Sequence, residues 1–187
     1  MHESSPDIDG DRMRRWAEGD RAAFEEIVRQ WERPIARFLA RLCGDAEEAS
    51  DLTQEVFLRV YLRRAGYRDE GHFRTWLYQI ALNLARDTAR RKARKPVIPL
   101  RTAHDSPGSM EPDDGSERAA FVATALAELP VALREVVVLR HYEDLSFEAM
   151  ASLLGTPSTT LKSRFAVAMQ KLEQALTARG LKPENAP

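Results

Sequence analysis

Residues 145–176 read LSFEAMASLLGTPSTTLKSRFAVAMQKLEQAL, and their punctuation decides the fold of the C-terminal part. Ser146, followed by Glu148 and Ala149, opens a helix, and Met150, Ala151, Leu153 and Leu154 supply its apolar side. Gly155-Thr156-Pro157 turns the chain. A second helix starts at Pro157 or Ser158, with Leu161, Phe165, Ala168, Met169, Leu172 and Leu176 facing inward. A small residue (Ala151) where two helices cross, and a glycine four residues later at the turn, is helix-turn-helix grammar. The second helix then presents Ser158, Thr159, Thr160, Lys162, Ser163 and Arg164 at its N-terminal end, the end that enters a major groove. A purely structural helical hairpin would share the grammar.

Upstream, an amphipathic helix is expected from Arg118 to Leu129, with Phe121, Val122, Ala125, Leu126 and Leu129 apolar, and Pro130 starts the next. The run Val136-Val137-Val138 could argue for a strand. It is short, and with Leu133 and Leu139 it also fits a buried helix, which is the reading adopted. Before this lies RTAHDSPGSMEPDDGSE (101–117), rich in Pro, Gly and Ser, with one Arg against five acidic residues. It reads as a flexible acidic linker, entered through Pro96 and Pro99, which stop the preceding helix. The chain thus divides into a domain over 11–96, a linker over 97–117 and a small domain over 118–181. The first ten residues and those after Lys182 read as unstructured ends.

The net charge of −1 conceals segregation. Between Arg59 and Lys95 there are eleven Lys/Arg against Asp69, Glu70 and Asp87, a net of +8 that leaves −9 for the rest. A dense basic segment in a neutral chain is the footprint of a nucleic-acid partner, although a solvated helix end can carry similar charge.

The first domain reads as all helix. Asp20 is an N-cap for a helix carrying Phe24, Ile27, Val28 and Trp31. Pro34 suggests a break or a new first turn before Ile35, Phe38, Leu39 and Leu42. Cys43 reads as a small core residue beside the punctuation at Gly44-Asp45. In a helix from Ala46 to Arg63, Ala49, Leu52, Thr53, Val56 and Val60 share the core arc. Asp51, Glu55, Leu58 and Leu62 share the far side. Two leucines beside two carboxylates are either scattered surface residues or a docking face for a basic and apolar partner. The loop from Arg63 to Gly71, with Arg63, Arg64, Tyr67 and Arg68, suits single-stranded nucleic acid: arginine neutralises phosphate and an aromatic ring stacks on a base. In FRTWLYQIALNLARDTARRKAR (73–94), Phe73, Leu77, Ile80 and Leu84 form the core face. Asn83, Arg86, Asp87, Arg90 and Arg94 form a polar one, with Trp76 at its edge, either packing on a neighbour or touching DNA.

Several classes are excluded. No apolar run of about 18 residues could span a membrane, and the N-terminus lacks the pattern of a secretory signal. A single cysteine makes no internal disulfide and no cysteine-rich zinc site. The histidines at 2, 72, 104 and 141 are scattered, without a carboxylate pair or phosphate-cradling glycine loop, so no catalytic centre, metal or cofactor is expected. A cytoplasmic, monomeric binding protein is the default.

Taken together, the chain resembles an extracytoplasmic-function (ECF) RNA polymerase sigma factor of the sigma-70 superfamily over about residues 17–177. DLTQEVFLRVY (51–61) and FRTWLYQIALNLARDTARRKAR resemble sigma regions 2.2 and 2.3–2.4. LPVALREVVVLRHYEDLSFEAMASLLGTPSTTLKSRF (129–165) resembles region 4. The resemblance implies an all-α fold of two small domains, a region 2 bundle and a region 4 helix-turn-helix, joined by a flexible linker threading toward the RNA exit path. It implies that Asp51, Gln54, Glu55 and Leu58 dock on core RNA polymerase. Arg63, Arg64, Tyr67, Arg68, Trp76, Asn83, Arg86, Arg90 and Arg94 would hold the −10 element as single strand, and Ser158, Thr159, Thr160, Lys162, Ser163 and Arg164 the −35 duplex. An anti-sigma factor is implied as a further partner. One departure stands out: family members usually carry basic residues after the Lys-Ser-Arg segment, where this chain has Ala166, Val167, Ala168 and Met169. Two other readings stay open on sequence. One is a two-domain regulator binding duplex DNA without polymerase docking; the other is a sigma-like protein-interaction module.

Overall fold

The computed structural model describes residues 8–67, 73–94 and 117–179, and within them every regular element is helical. The helices are α1 (Ile8–Ala17), α2 (Arg21–Cys43), α3 (Ala46–Leu62), α4 (Phe73–Arg94), α5 (Glu117–Glu128), α6 (Val131–Val137), α7 (Phe147–Leu154) and α8 (Ser158–Ala178). A 3₁₀ turn at Arg64–Gly66 follows α3, and a π-helical turn at Val138–Tyr142 follows α6. The chain gathers into two compact units. Among the described residues, the first takes 8–39, 48–67 and 73–94, and the second takes 40–47 and 117–179. The linker expected at 97–117 lies outside the described residues, apart from Glu117, which opens α5; the tail after Lys182 lies outside them too.

In the first unit the core is the arc read from sequence. Ala49, Leu52, Thr53, Val56 and Val60 of α3 and Phe73, Leu77, Ile80 and Leu84 of α4 are all buried, as are Ile27, Ile35, Phe38 and Leu39 of α2. Aromatic rings join the helices: Phe38 meets Tyr78 edge to face at 4.8 Å, and Trp31 lies 6.0 Å from Phe73. Asp20 caps α2 as expected, its Oδ1 accepting from the Ala22 and Ala23 amides at 3.0 and 3.3 Å.

Pro34 does not break α2, which runs unbroken through it. An interior proline costs about 3 kcal/mol. The apolar stripe stays in phase across it, and Ile27, Ile35, Phe38 and Leu39 are fully buried. Burying each such side chain contributes about 1.5–3 kcal/mol, so the continuous helix wins. The N-terminus differs as well. Residues from Ile8 form α1, whose Met13 and Trp16 are buried. Arg12 ties it to α2 through Glu26 at 3.0 Å, and the Trp31 indole donates to Asp9 at 3.0 Å. Cys43 is half-buried at the end of α2 rather than in the core.

In the second unit Ser146 caps α7, its hydroxyl oxygen accepting from the Ala149 amide at 3.1 Å. Gly155 ends α7 in the left-handed conformation at φ 61°. The valine run is helical, and all three valines are buried with Leu139. The π turn widens the helix by one residue, with Glu143 N–H donating to the Val138 carbonyl. Arg134 donates to the Ala127 and Leu129 carbonyls at the end of α5. On α8, Leu161, Ala168 and Leu172 are buried, but Met169 is 41% exposed instead of inward. It sits at the margin of the apolar arc, where Phe165 already fills the seam edge to face with Phe147 at 6.0 Å.

Candidate nucleic-acid and polymerase interfaces

The outward side of α3 is an unbroken surface. Asp51 and Gln54 are exposed, Glu55 is half-buried, and Leu58 and Leu62 are 51% and 68% exposed. Spacings of four residues stack these side chains along one face. Glu55 accepts from Arg59 Nε at 2.9 Å, so its carboxylate is oriented along the helix. Thr53, on the inner side, returns its hydroxyl to the Ala49 carbonyl at 2.7 Å and leaves no buried donor unmet.

At the end of α3 the structure adds a feature the sequence pattern did not reveal. Tyr61 packs on Trp16 at 4.9 Å and on Phe24 at 5.5 Å. The Arg64 guanidinium then lies 4.8 Å from the Trp16 ring and 5.5 Å from Tyr61, both within cation–π range. The signal was hidden because Trp16 belongs to α1, 45 residues before Tyr61. Arg63 and Arg64 are exposed.

Tyr67 and Trp76 come together: the rings meet edge to face at 5.0 Å, and both residues are half-buried. Trp76 also touches Phe73 at 5.9 Å, so it both packs and keeps part of its ring accessible. Beyond it along α4, Asn83, Arg90 and Arg94 are exposed and Arg86 is half-buried. Gln79 Nε2 donates to the Asn83 side-chain oxygen Oδ1 at 3.3 Å, and Asp87 holds Arg90 at 2.6 Å. This is an exposed i,i+3 pair, which a phosphate can displace at small cost. Arg68 lies outside the described residues.

In the second unit Thr159, Thr160, Lys162 and Ser163 are exposed, and Ser158 and Arg164 are half-buried. Ser163 donates its proton to the Thr159 carbonyl at 3.1 Å, which leaves its oxygen facing outward as an acceptor. Lys162 Nζ and the Arg140 guanidinium flank the Phe147 ring at 5.8 and 5.5 Å. No helix among the described residues is long and apolar enough to cross a membrane, and no cluster of His, Cys, Asp or Glu among them could hold a metal ion.

Described residues whose regular elements are all helical, with a basic helix in one unit and a helix-turn-helix in the other, define a class of DNA-reading proteins. Residues 27–95 match the family Sigma-70 region 2, and residues 122–172 match Sigma-70, region 4. The RNA polymerase sigma-H factor of Pseudomonas aeruginosa is 32% identical over 170 residues, covering 84% of this chain and 88% of that protein. The ECF RNA polymerase sigma factor SigE of Mycolicibacterium smegmatis is 35% identical over 168 residues, covering 86% of this chain and 65% of that one. Among solved structures, the sigma factor RpoE bound to the anti-sigma factor NepR from Bartonella quintana superposes with a TM-score of 0.70 at 22% identity, over 82% of this chain and 96% of that chain. CnrH in complex with the cytosolic domain of CnrY gives 0.68 at 23% identity, over 91% and 97%. The chain belongs to the sigma-70 family, as an RNA polymerase sigma factor of the ECF group. It is a subunit that joins core RNA polymerase and directs it to promoters. Of the readings the sequence left open, this is the one the relatives bear out.

Proposed function

We propose that the two units divide the work of initiation, with region 2 over 11–96, an acidic linker over 97–117 and region 4 over 118–181. Asp51, Gln54, Glu55 and Leu58 dock on core polymerase. The observation that carries this is the exposure of Leu58 and Leu62 on a rigid helix beside two carboxylates. Leucines left in water on an otherwise well-buried helix gain by being covered, and the carboxylates select a basic partner.

Arg63, Arg64, Tyr67, Arg68, Trp76, Asn83, Arg86, Arg90 and Arg94 hold the −10 element as single strand. Unstacking a base costs a few kcal/mol, and stacking on an aromatic ring returns about 1–3 kcal/mol per base. The Tyr67–Trp76 pair offers such a ring surface, and the arginines along α4 neutralise the backbone beside it. Ser158, Thr159, Thr160, Lys162, Ser163 and Arg164 engage the −35 duplex. The action is binding alone, with no catalytic centre and no cofactor, by a cytoplasmic monomer. An anti-sigma factor holds it in reserve, as NepR is bound to RpoE in the similar complex.

Two variants test the division. Asp51→Lys/Leu58→Glu lies on an exposed face, so it keeps the helical circular dichroism and loses at least tenfold in affinity for core polymerase. Arg90→Ala/Arg94→Ala keeps core binding and loses promoter opening, read by permanganate reactivity of −10 thymines. Core affinity unchanged in the first variant, or opening unchanged in the second, would refute the corresponding assignment.

A further inference from the structure

The outer face of α8, the surface that should meet DNA, carries two apolar residues, Ala166 and Val167, one at each edge of a neutral stripe. Both are exposed, Val167 by 45%. At about 100° per residue, Ala166, Thr159, Gln170, Ser163 and Val167 form a neutral stripe about 100° wide. The middle of that stripe lies opposite the buried Leu161, Ala168 and Leu172. Lys162 stands about 40° outside one edge and Lys171 about 40° outside the other. Arg140 reinforces the Lys162 edge across Phe147, and Arg164 the Lys171 edge. A neutral floor between two rows of cations complements a major groove, whose floor is base edges and whose two walls are phosphates. Glu173, exposed one turn beyond Gln170, marks where that complementarity ends.

The chemistry of the stripe selects among base pairs. The one apolar group on a major-groove base edge is the thymine 5-methyl. Ala166 and Val167 offer methyl groups to it and nothing to guanine. Ser163, hydrogen-bonded back to the Thr159 carbonyl, keeps oxygen lone pairs as acceptors there, which suits the adenine N6 amine of such a pair. We propose that Val167 reads a thymine methyl in the −35 duplex, so that this sigma factor gains −35 specificity from an apolar contact. The inference rests on the assignment of α8 to −35 DNA made above.

The test uses the full chain with bacterial core polymerase and a promoter library randomised over the −35 region. Transcription selects a thymine at one −35 position or more. Synthetic promoters then carry deoxyuridine there, which removes the 5-methyl and nothing else. The expected result is an approximately fourfold loss of holoenzyme binding, the effect of one methyl group left in water. Val167→Ser, at an exposed position, keeps core affinity and reduces that loss to below about 1.5-fold. Selection without thymine, full tolerance of deoxyuridine, or an unchanged penalty in Val167→Ser each overturns the inference and leaves promoter-directed transcription intact. Core binding with no −35 preference at all would instead overturn the assignment of α8, and the inference with it.

Discussion

Asp20 shows how one side chain serves two ends. It accepts from the first amides of α2, and its other oxygen accepts from Arg15 of α1 at 2.7 Å. The Arg15 hydrogen bond holds its carboxyl below the usual value against the opposing effect of burial, and the Ala23 and Ala22 amides add to the lowering. A depressed carboxylate stabilises the fold above its unfolded-state value, and that contribution is lost as the pH falls through the folded one. Asp20→Asn keeps an acceptor for the amides but not the charge. Its thermal midpoint should therefore lie below wild type near neutral pH and converge on it below about pH 4. All three tryptophans belong to the first unit, so intrinsic fluorescence reads this transition. A gap between variant and wild type that stays constant into acid would assign the effect to the cap alone.

Elements obey their local signals until packing outweighs them, and two positions measure the exchange. Pro34 leaves the Gln30 carbonyl without its helical donor. Pro34→Ala restores the donor at the expense of a looser unfolded chain, and should stabilise the first unit by about 1–2 kcal/mol in urea unfolding. At Gly155 no atom lies within 4 Å of an added Cβ, so Gly155→Ala pays only for the left-handed backbone. That is about 1–2 kcal/mol, read as a drop in the second unit's transition, and Gly155→Asn should lose less. The same competition explains what sequence could and could not reveal. The arcs of α3 and α4, the Ser146 and Asp20 caps and the Gly155 turn were legible, because each is written within one helical repeat. α1 was not: its inward positions are few, and its anchors, Arg12 to Glu26 and Trp31 to Asp9, join residues far apart in the chain. The exposed leucines of α3 were legible as a pattern, whereas the seat of Arg64 on Trp16 was not, since only the tertiary fold brings α1 to the end of α3.

For the whole molecule, the decisive property is where charge is absent. The basic load is concentrated between Arg59 and Lys95, while the outer stripe of α8 is neutral between its flanking cations. Each phosphate neutralised contributes about −0.9 to the slope of log affinity against log salt. With Lys162, Arg164, Lys171 and Arg140 as the available contacts, the free chain on a −35 duplex should show a shallow slope of about −3 to −4. Val167→Arg places a cation on the stripe without disturbing the core, because that side chain is already exposed. It should steepen the slope by about 0.9 and tighten binding at low salt. Fluorescence anisotropy of a labelled −35 duplex between low and physiological salt reads both numbers. A wild-type slope near −8 would mean that the Arg59–Lys95 segment also grips duplex, and the division of labour between the two units would then have to be redrawn.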